Sequence, residues 1–260
     1  MILVDVHCHL DDEYFKDKLD VVLKRAKEVG VKAIITQGVN HEKNQKILDL
    51  CKKDNIIKPA FGLYPLDATN VICNENAKDF SKSKTDVDTT LKFIEKNKHN
   101  IIAIGEVGID FKFSDDEKHQ IENFNKIIQL AKKINKPLIV HSRKAEGLVL
   151  DLLEDAKFFK VDMHCFSGKK ALVKRGAEMG LLFSIPANIV KSSQFQTNAE
   201  LLPMHTILTE TDAPYLSPFS DKLNEPAFIE HAVTKIAEIK KLTPEETANQ
   251  IFQNYQKLFL

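Results

Sequence analysis

The chain has 260 residues, is 43% hydrophobic and 28% charged, and sets 37 basic against 37 acidic residues, so its formal net charge is zero. These proportions exclude intrinsic disorder and fibrous repeats, and the charge balance excludes a protein that binds nucleic acid or membrane by its global field alone. At this length one large domain or two modest ones are open.

Short β-branched or apolar runs alternate with amphipathic segments along the whole chain. Residues 2–7 read as a first strand, followed by helical spacing at 16–29. A strand at 31–36 precedes a helix at 41–54, and 57–62 reads as a third strand. The stretch 63–87 carries no firm pattern. It reads either as a functional lid or as a surface excursion rich in Asn, Asp and Lys. A helix at 88–98 leads to a strand at 101–106. In the helix at 116–134, Ile121, Phe124, Ile127, Ile128 and Ala131 mark one buried face, with Asp115 and Asp116 as its cap. Strands at 137–141, 161–164, 181–185 and 206–210 alternate with helices at 145–156, 169–179 and 193–201. Helices at 226–241 and 244–258 close the chain. Several strand runs are apolar on both faces, as in a parallel sheet covered by helices. Eight alternations without a composition break predict an α/β fold, a single (β/α)8 TIM barrel filling 1–260 as one domain. An open, doubly wound sheet differs in whether the eighth strand meets the first, which periodicity does not decide.

The four cysteines, Cys8, Cys51, Cys73 and Cys165, form no Cys-x-x-Cys pair. They read as free thiols of a reducing compartment. The start of the chain lacks signal-peptide features and no run approaches the ~18–20 apolar residues of a membrane span, so a cytoplasmic protein is expected. Lysine is the default cation, which singles out Arg25, Arg143 and Arg175.

The first strand ends in His7-Cys8-His9. Side chains at i and i+2 share a strand face, roughly 6.5–7 Å apart along it, so both imidazoles can converge on one metal ion. Alone, such a pair is weak evidence. The other strand ends strengthen it: Glu106 closes the fourth, His141 the fifth and His164 the sixth, and Asp212 follows the eighth. In a (β/α)8 barrel these ends open onto the face that carries active sites. Two carboxylates and four imidazoles gathered there would be costly to desolvate and mutually repulsive if charged. Metal coordination removes both problems. His41, His99, His119, His205 and His231 lie in helical or connecting contexts and read as surface or boundary residues. Cys8 and Cys165, each beside a candidate ligand, read as small buried fillers on the opposite strand face.

The His-x-His pair, the run GEVGID at 105–110, HSR at 141–143, HCFSG at 164–168, TDAPYL at 211–216 and Asn224-Glu225-Pro226 together resemble the TatD family of metal-dependent deoxyribonucleases, within the amidohydrolase-like barrels. The resemblance runs from His7 to the C-terminus. It implies a hydrolase with two divalent metal ions (Mg²⁺, Mn²⁺ or Zn²⁺), cleaving phosphodiesters at DNA ends as a 3'-5' exonuclease. His7, His9 and Asp212 would hold one metal, and Glu106 would bridge to a second held by His141 and His164. A shared carboxylate suits cations ~3.5–4 Å apart, which lower a bridging water's pKa toward about 7 and clamp phosphoryl oxygens. Asp212 and Glu106 are then the catalytic candidates, Asp212 as the group that orients the water or takes its proton.

Substrate-binding candidates are Arg143, which can grip a phosphate through two hydrogen bonds, and Lys169, at the start of a predicted helix. Tyr215, in the loop after Asp212, can stack on a base or pack the rim. The family commonly carries Gly-x-His-Pro after the third strand, where this chain has Gly62-Leu63-Tyr64-Pro65. Tyr64 donates a hydrogen bond but is a poor proton shuttle at neutral pH. Lys144 stands where an acid is usual. The expected partner is the end of single-stranded DNA, handled by a monomer without membrane attachment. A zero net charge fits such a small footprint better than the wrapping of long duplexes. The alternative is an ester or amide hydrolase of the same barrel type, for example on an aminoacyl-tRNA ester. A non-catalytic metal or nucleic-acid binding protein is disfavoured, because six ligands shared by two ions leave positions open for water, whereas structural zinc sites are closed by four protein ligands.

Overall fold

The structure, a computed structural model, describes residues 1–69 and 85–260. In chain order its elements are β1 (Leu3–Cys8), α1 (Leu19–Glu28), β2 (Val31–Gln37), α2 (His41–Leu50), β3 (Ile57–Leu63), α3 (Val87–Lys96), β4 (Ala103–Gly108), α4 (Glu117–Ile134) and β5 (Leu138–His141). There follow α5 (Glu146–Asp155), β6 (Val161–His164), α6 (Lys170–Glu178), β7 (Leu182–Pro186), α7 (Ser193–Leu201), β8 (Ile207–Glu210), α8 (Ile229–Lys240) and α9 (Pro244–Phe259). The eight strands lie in sequence order and each pairs in parallel with the next.

β8 returns to β1 through side chains as much as backbone. Cys8 and Ala213 form one parallel bridge, Asp212 N donates to His7 O at 2.8 Å, and His9 N donates to Ala213 O at 2.8 Å. Deeper in the seam, Thr209 Oγ1 donates to Val4 O at 2.9 Å, and Thr211 donates to Asp5 through N (2.9 Å) and Oγ1 (2.6 Å). Arg25 on α1 braces the same seam from outside with a bidentate grip on Glu225 (2.7 and 2.5 Å). The ring is closed, and the fold is a (β/α)8 barrel.

β1, β4, β5, β6, β7 and β8 are buried along their whole length, as the doubly apolar runs required. α4 buries Gln120, Phe124, Ile127, Ile128, Leu130 and Ala131, with Ile121 at the half-buried edge of that face. Each large apolar side chain so removed from water contributes ~1.5–3 kcal/mol. Asp116 caps α4 by accepting from His119 N, and Asn135 ends it in the left-handed conformation.

Boundaries shift where turns intervene. The segment 16–29 shortens to α1, which begins at Leu19 after a separate 3₁₀ turn (Glu13–Phe15), and 226–241 becomes a 3₁₀ turn (Pro226–Phe228) followed by α8. β4 begins and ends two residues later than 101–106, so Glu106 sits inside the strand rather than at its tip. Of the patternless stretch, Leu63 belongs to β3 and Val87 opens α3, while 70–84 lie outside the described residues, and with them most of the predicted lid and Cys73. Cys8, Cys51 and Cys165 are free thiols. Cys8 is a buried filler, but Cys165 is only half-buried. It lies past the end of β6 with φ +46°, where strand alternation no longer applies. Arg175 ties α6 to α5 through Asp151 and Glu154. Among the described residues no helix is long and apolar enough to cross a membrane.

Candidate metal centre

All six residues singled out as ligands meet at the barrel mouth. The Nε2 atoms of His7 and His9 lie 3.3 Å apart. Asp212 Oδ1 is 3.6 Å from the first and 3.3 Å from the second. Glu106 Oε2 faces the same two nitrogens at 3.6 and 3.7 Å. Its other oxygen, Oε1, faces His141 Nδ1 at 3.0 Å and His164 Nε2 at 3.8 Å. Two triads, His7–His9–Glu106 and Glu106–His141–His164, therefore share one carboxylate, and within each the ligand atoms lie within 4.8 Å of one another. Donors this close, four imidazoles and two carboxylates, suit two divalent cations of the Mn²⁺, Zn²⁺ or Mg²⁺ kind.

The backbone explains how these side chains reach the mouth. The strand ladders are irregular between Asp5 and Cys8, between Phe61 and Leu63, and between Ile104 and Val107. Irregularities of this kind re-aim side chains, and these flank His7 and Glu106. Glu106 N donates at 2.8 Å to Gly38 O, just beyond the end of β2, rather than to the neighbouring β3. That path runs against Gly62 in β3, where a Cβ would stand 2.4 Å from Glu106 N and O.

Burial alone would raise the Glu106 carboxyl, but the facing His141 and His7 outweigh it and hold the group well below the usual carboxylate range. Burial likewise opposes the Asp212 carboxylate, and its contact with His9 brings it down. The rings of His7 and His164 stack at 3.5 Å between centroids. Burial opposes charge on both. Glu210 nonetheless pushes His164 up to about 10, and the nearby His164 charge helps push His7 down to about 3. A cation needs unprotonated nitrogens, so metal and protons compete for this cluster.

Two further carboxylates touch the ligands. Asp110 Oδ2 accepts from His141 Nε2 at 2.9 Å and from Tyr64 Oη at 3.1 Å. Glu210 Oε2 accepts from His164 Nδ1 at 2.7 Å. Glu210 stands two residues before Asp212, as His7 does before His9, a spacing visible in the sequence. Asp110 lies in a loop and had no signal beyond its place in the GEVGID run. Asp5 and Asp162 likewise stand two residues before His7 and His164, both fully buried. Burial pushes Asp5 up to about 8 and Asp162 well above its usual value.

The substrate candidates divide. Arg143, half-exposed, lies 3.6 Å from Asp110 and over the Phe113 ring at 5.4 Å, next to the His141 ligand. Tyr215 is exposed at the rim, 6.1 Å from the His9 ring, and its Oη donates to Asp12 at 3.3 Å. Tyr64 is buried and engaged with Asp110, with Oη 3.4 Å from His141 Nε2. Lys169 is exposed ahead of α6, with no hydrogen bond or ion pair from its side chain to the six among the described residues.

The sequence model of the TatD related DNase family matches residues 4–260. The chain belongs to this family. Among its TatD relatives is human deoxyribonuclease TATDN3, 35% identical over 263 residues that cover 99% of this chain and 94% of the relative. An uncharacterized metal-dependent hydrolase of Methanocaldococcus jannaschii is also 35% identical, over 98% of this chain and 96% of its own. The crystal structure of the TatD homologue YjjV from Escherichia coli K12 superposes with a TM-score of 0.84 at 24% identity, covering 99% of this chain and 97% of that one, which shows the shared TatD barrel.

Proposed function

We propose that this TatD protein is a divalent-metal-dependent phosphodiesterase of the deoxyribonuclease type, one domain over 1–260. It shortens single-stranded DNA from the 3' end, as a monomer in the cytoplasm. The observation that supports the reading best is the convergence of two ligand triads on Glu106. There His7, His9 and Asp212 would hold one ion and His141 and His164 the other, with Glu106 facing both. Bound there, the pair of ions supplies positive charge for the phosphoryl oxygens and acidifies the attacking water.

The protein's own groups do the rest. Asp212 faces the mouth with a partly exposed side chain and is held as a carboxylate, which suits it to orient the water and take its proton. Arg143, restrained by Asp110 and Phe113, presents a guanidinium to the phosphate. Tyr215 offers a ring for the terminal base, and Lys169 a more distant charge for the strand. Tyr64, where the family commonly has histidine, donates a hydrogen bond to Asp110 and so steadies the Asp110–His141 pair instead of shuttling protons. The free thiols Cys8, Cys51 and Cys165 suit the reducing cytoplasm.

The test is protein stripped of metal with a chelator, then supplied with Mn²⁺ or Mg²⁺ and single-stranded DNA labelled at one end or the other. Progressive loss from the 3' end is expected. Glu106→Gln should lower the rate by more than the roughly 100-fold that loss of an outer partner costs. Firm metal binding without turnover of DNA, RNA or a small phosphodiester, alongside cleavage of a carboxylic ester or amide, would overturn the reading.

A further inference from the structure

We propose that the two metal positions are unequal, and that Glu210 and Asp110 are the positioning residues that make them so. The Glu106–His141–His164 position is held ready and fills first, while the His7–His9–Asp212 position takes the exchangeable ion. The inference rests on the ligand assignment above and not on the identity of the substrate.

Both histidines of the first position are fixed from behind. His164 Nδ1 meets Glu210 Oε2 at 2.7 Å, and that oxygen also accepts from Ser184 Oγ at 2.5 Å. Its Nε2 is thereby left facing Glu106. His141 is turned the other way round: Nε2 is held by Asp110 at 2.9 Å, and Nδ1 faces Glu106 at 3.0 Å. Asp110 is itself anchored. Its N donates to Gln120 Oε1 at 2.7 Å, its carbonyl accepts from Gln120 Nε2 at 3.1 Å, and its Oδ1 accepts from Lys112 N at 2.9 Å. A carboxylate behind each imidazole fixes tautomer and ring angle and raises the basicity of the nitrogen that faces the metal.

The second position is built differently. The contacts of Glu106 and Asp212 with His7 and His9 all run through Nε2, so these carboxylates are fellow ligands and not braces. His7 Nδ1 is buried without a hydrogen-bond partner among the described residues. The side chains of His9 and Asp212 are each 16% exposed, against 6% for His141 and 5% for His164. Asp212 also sits beyond β8 in a left-handed turn (φ +54°). One position is therefore closed and prearranged, and the other, although His7 at its base is fully buried, is open at His9 and Asp212.

The experiment is calorimetric titration of Mn²⁺ into the metal-stripped full chain, with free Mn²⁺ followed by electron paramagnetic resonance. Two steps of one equivalent each are expected, the first at least about tenfold tighter. Glu210→Gln and Asp110→Asn should each weaken the tight step by roughly 10–100-fold and leave the weak step in place. His9→Ala should remove the weak step and spare the tight one. Ser184→Ala keeps the Glu210 carboxylate but frees it, and should weaken the tight step less; it carries the test if Glu210→Gln does not fold by circular dichroism. Two equivalent sites, a tight step lost in His9→Ala, or Glu210→Gln and Asp110→Asn without effect on the tight step would each overturn the proposal. Unequal binding without turnover of DNA, RNA or a small phosphodiester would uphold it and sink the phosphodiesterase reading, whereas DNA turnover with equal sites would do the reverse.

Discussion

Asp67 lies just beyond β3 with its side chain buried, its Oδ1 accepting from Asn40 Nδ2 at 3.3 Å. Burial, with a smaller push from Glu106, raises its carboxyl to about 6, although Asn40 and Lys43 work the other way. Between the unfolded value near 4 and the folded value, the native state binds more protons than the unfolded one. Stability from this group therefore falls as pH rises from about 4 to about 6, by about 3 kcal/mol. Asp67→Asn removes the ionisation but keeps an acceptor for Asn40. The variant should match the wild type at pH 4 and exceed it by about 1–3 kcal/mol at pH 7, measured by urea unfolding of the metal-free protein. An equal difference at both pH values would reject the burial argument. Asp67 shows where single residues escape a reading of sequence. The ligands announce themselves by residue type and strand-end position, and Glu210 by standing two residues before Asp212. Asp67 and Asp110 sit in loops without a period, and only the packing around them gives them a role.

Strands and helices were legible almost throughout, because a parallel barrel demands doubly buried strands and one-faced helices. The path of β4 was not. Its continuation past Glu106 depends on Gly108 at φ +139°, where a Cβ would stand 1.9 Å from His141 O. Glu106 reaches its place because its N–H crosses to Gly38 against a residue without a side chain, Gly62. A methyl group there meets Glu106 backbone on β4, and a strand held on both sides cannot yield cheaply. Gly62→Ala should cost about 1–3 kcal/mol in urea unfolding and weaken both Mn²⁺ steps, since Glu106 serves both triads. Gly147→Ala is the control. A Cβ there meets only Leu172 carbons at 3.9 and 4.0 Å, and the first turn of α5 should gain up to about 1 kcal/mol. If the two substitutions had similar effects, the close approach of β3 and β4 would not be what places Glu106.

At the scale of the molecule, eight alternating units leave one question that hydrophobic period cannot answer, whether the last strand finds the first. The answer lies in polar residues that hydrophobic period does not register, Thr209, Thr211 and Asp5, which close the seam where Asp212 is brought to His7 and His9. The contacts that close the barrel are thus the ones that bring Asp212 to His7 and His9. Thr211→Val tests this link. The substitution keeps the shape and the backbone donor but removes the 2.6 Å hydrogen bond to the buried Asp5, along with the acceptor for Ala213 N at 3.2 Å. A lost bond to a buried carboxyl costs about 1–3 kcal/mol, and Arg25→Ala, which leaves the buried Glu225 carboxylate on the same seam without its bidentate partner, should cost a similar amount. The Mn²⁺ titration then separates a local effect from a general loosening. A seam that positions Asp212 predicts that Thr211→Val weakens the outer step and leaves the braced His141–His164 step alone. Equal weakening of both steps would mean that the seam supports the whole barrel mouth and not the outer ion in particular.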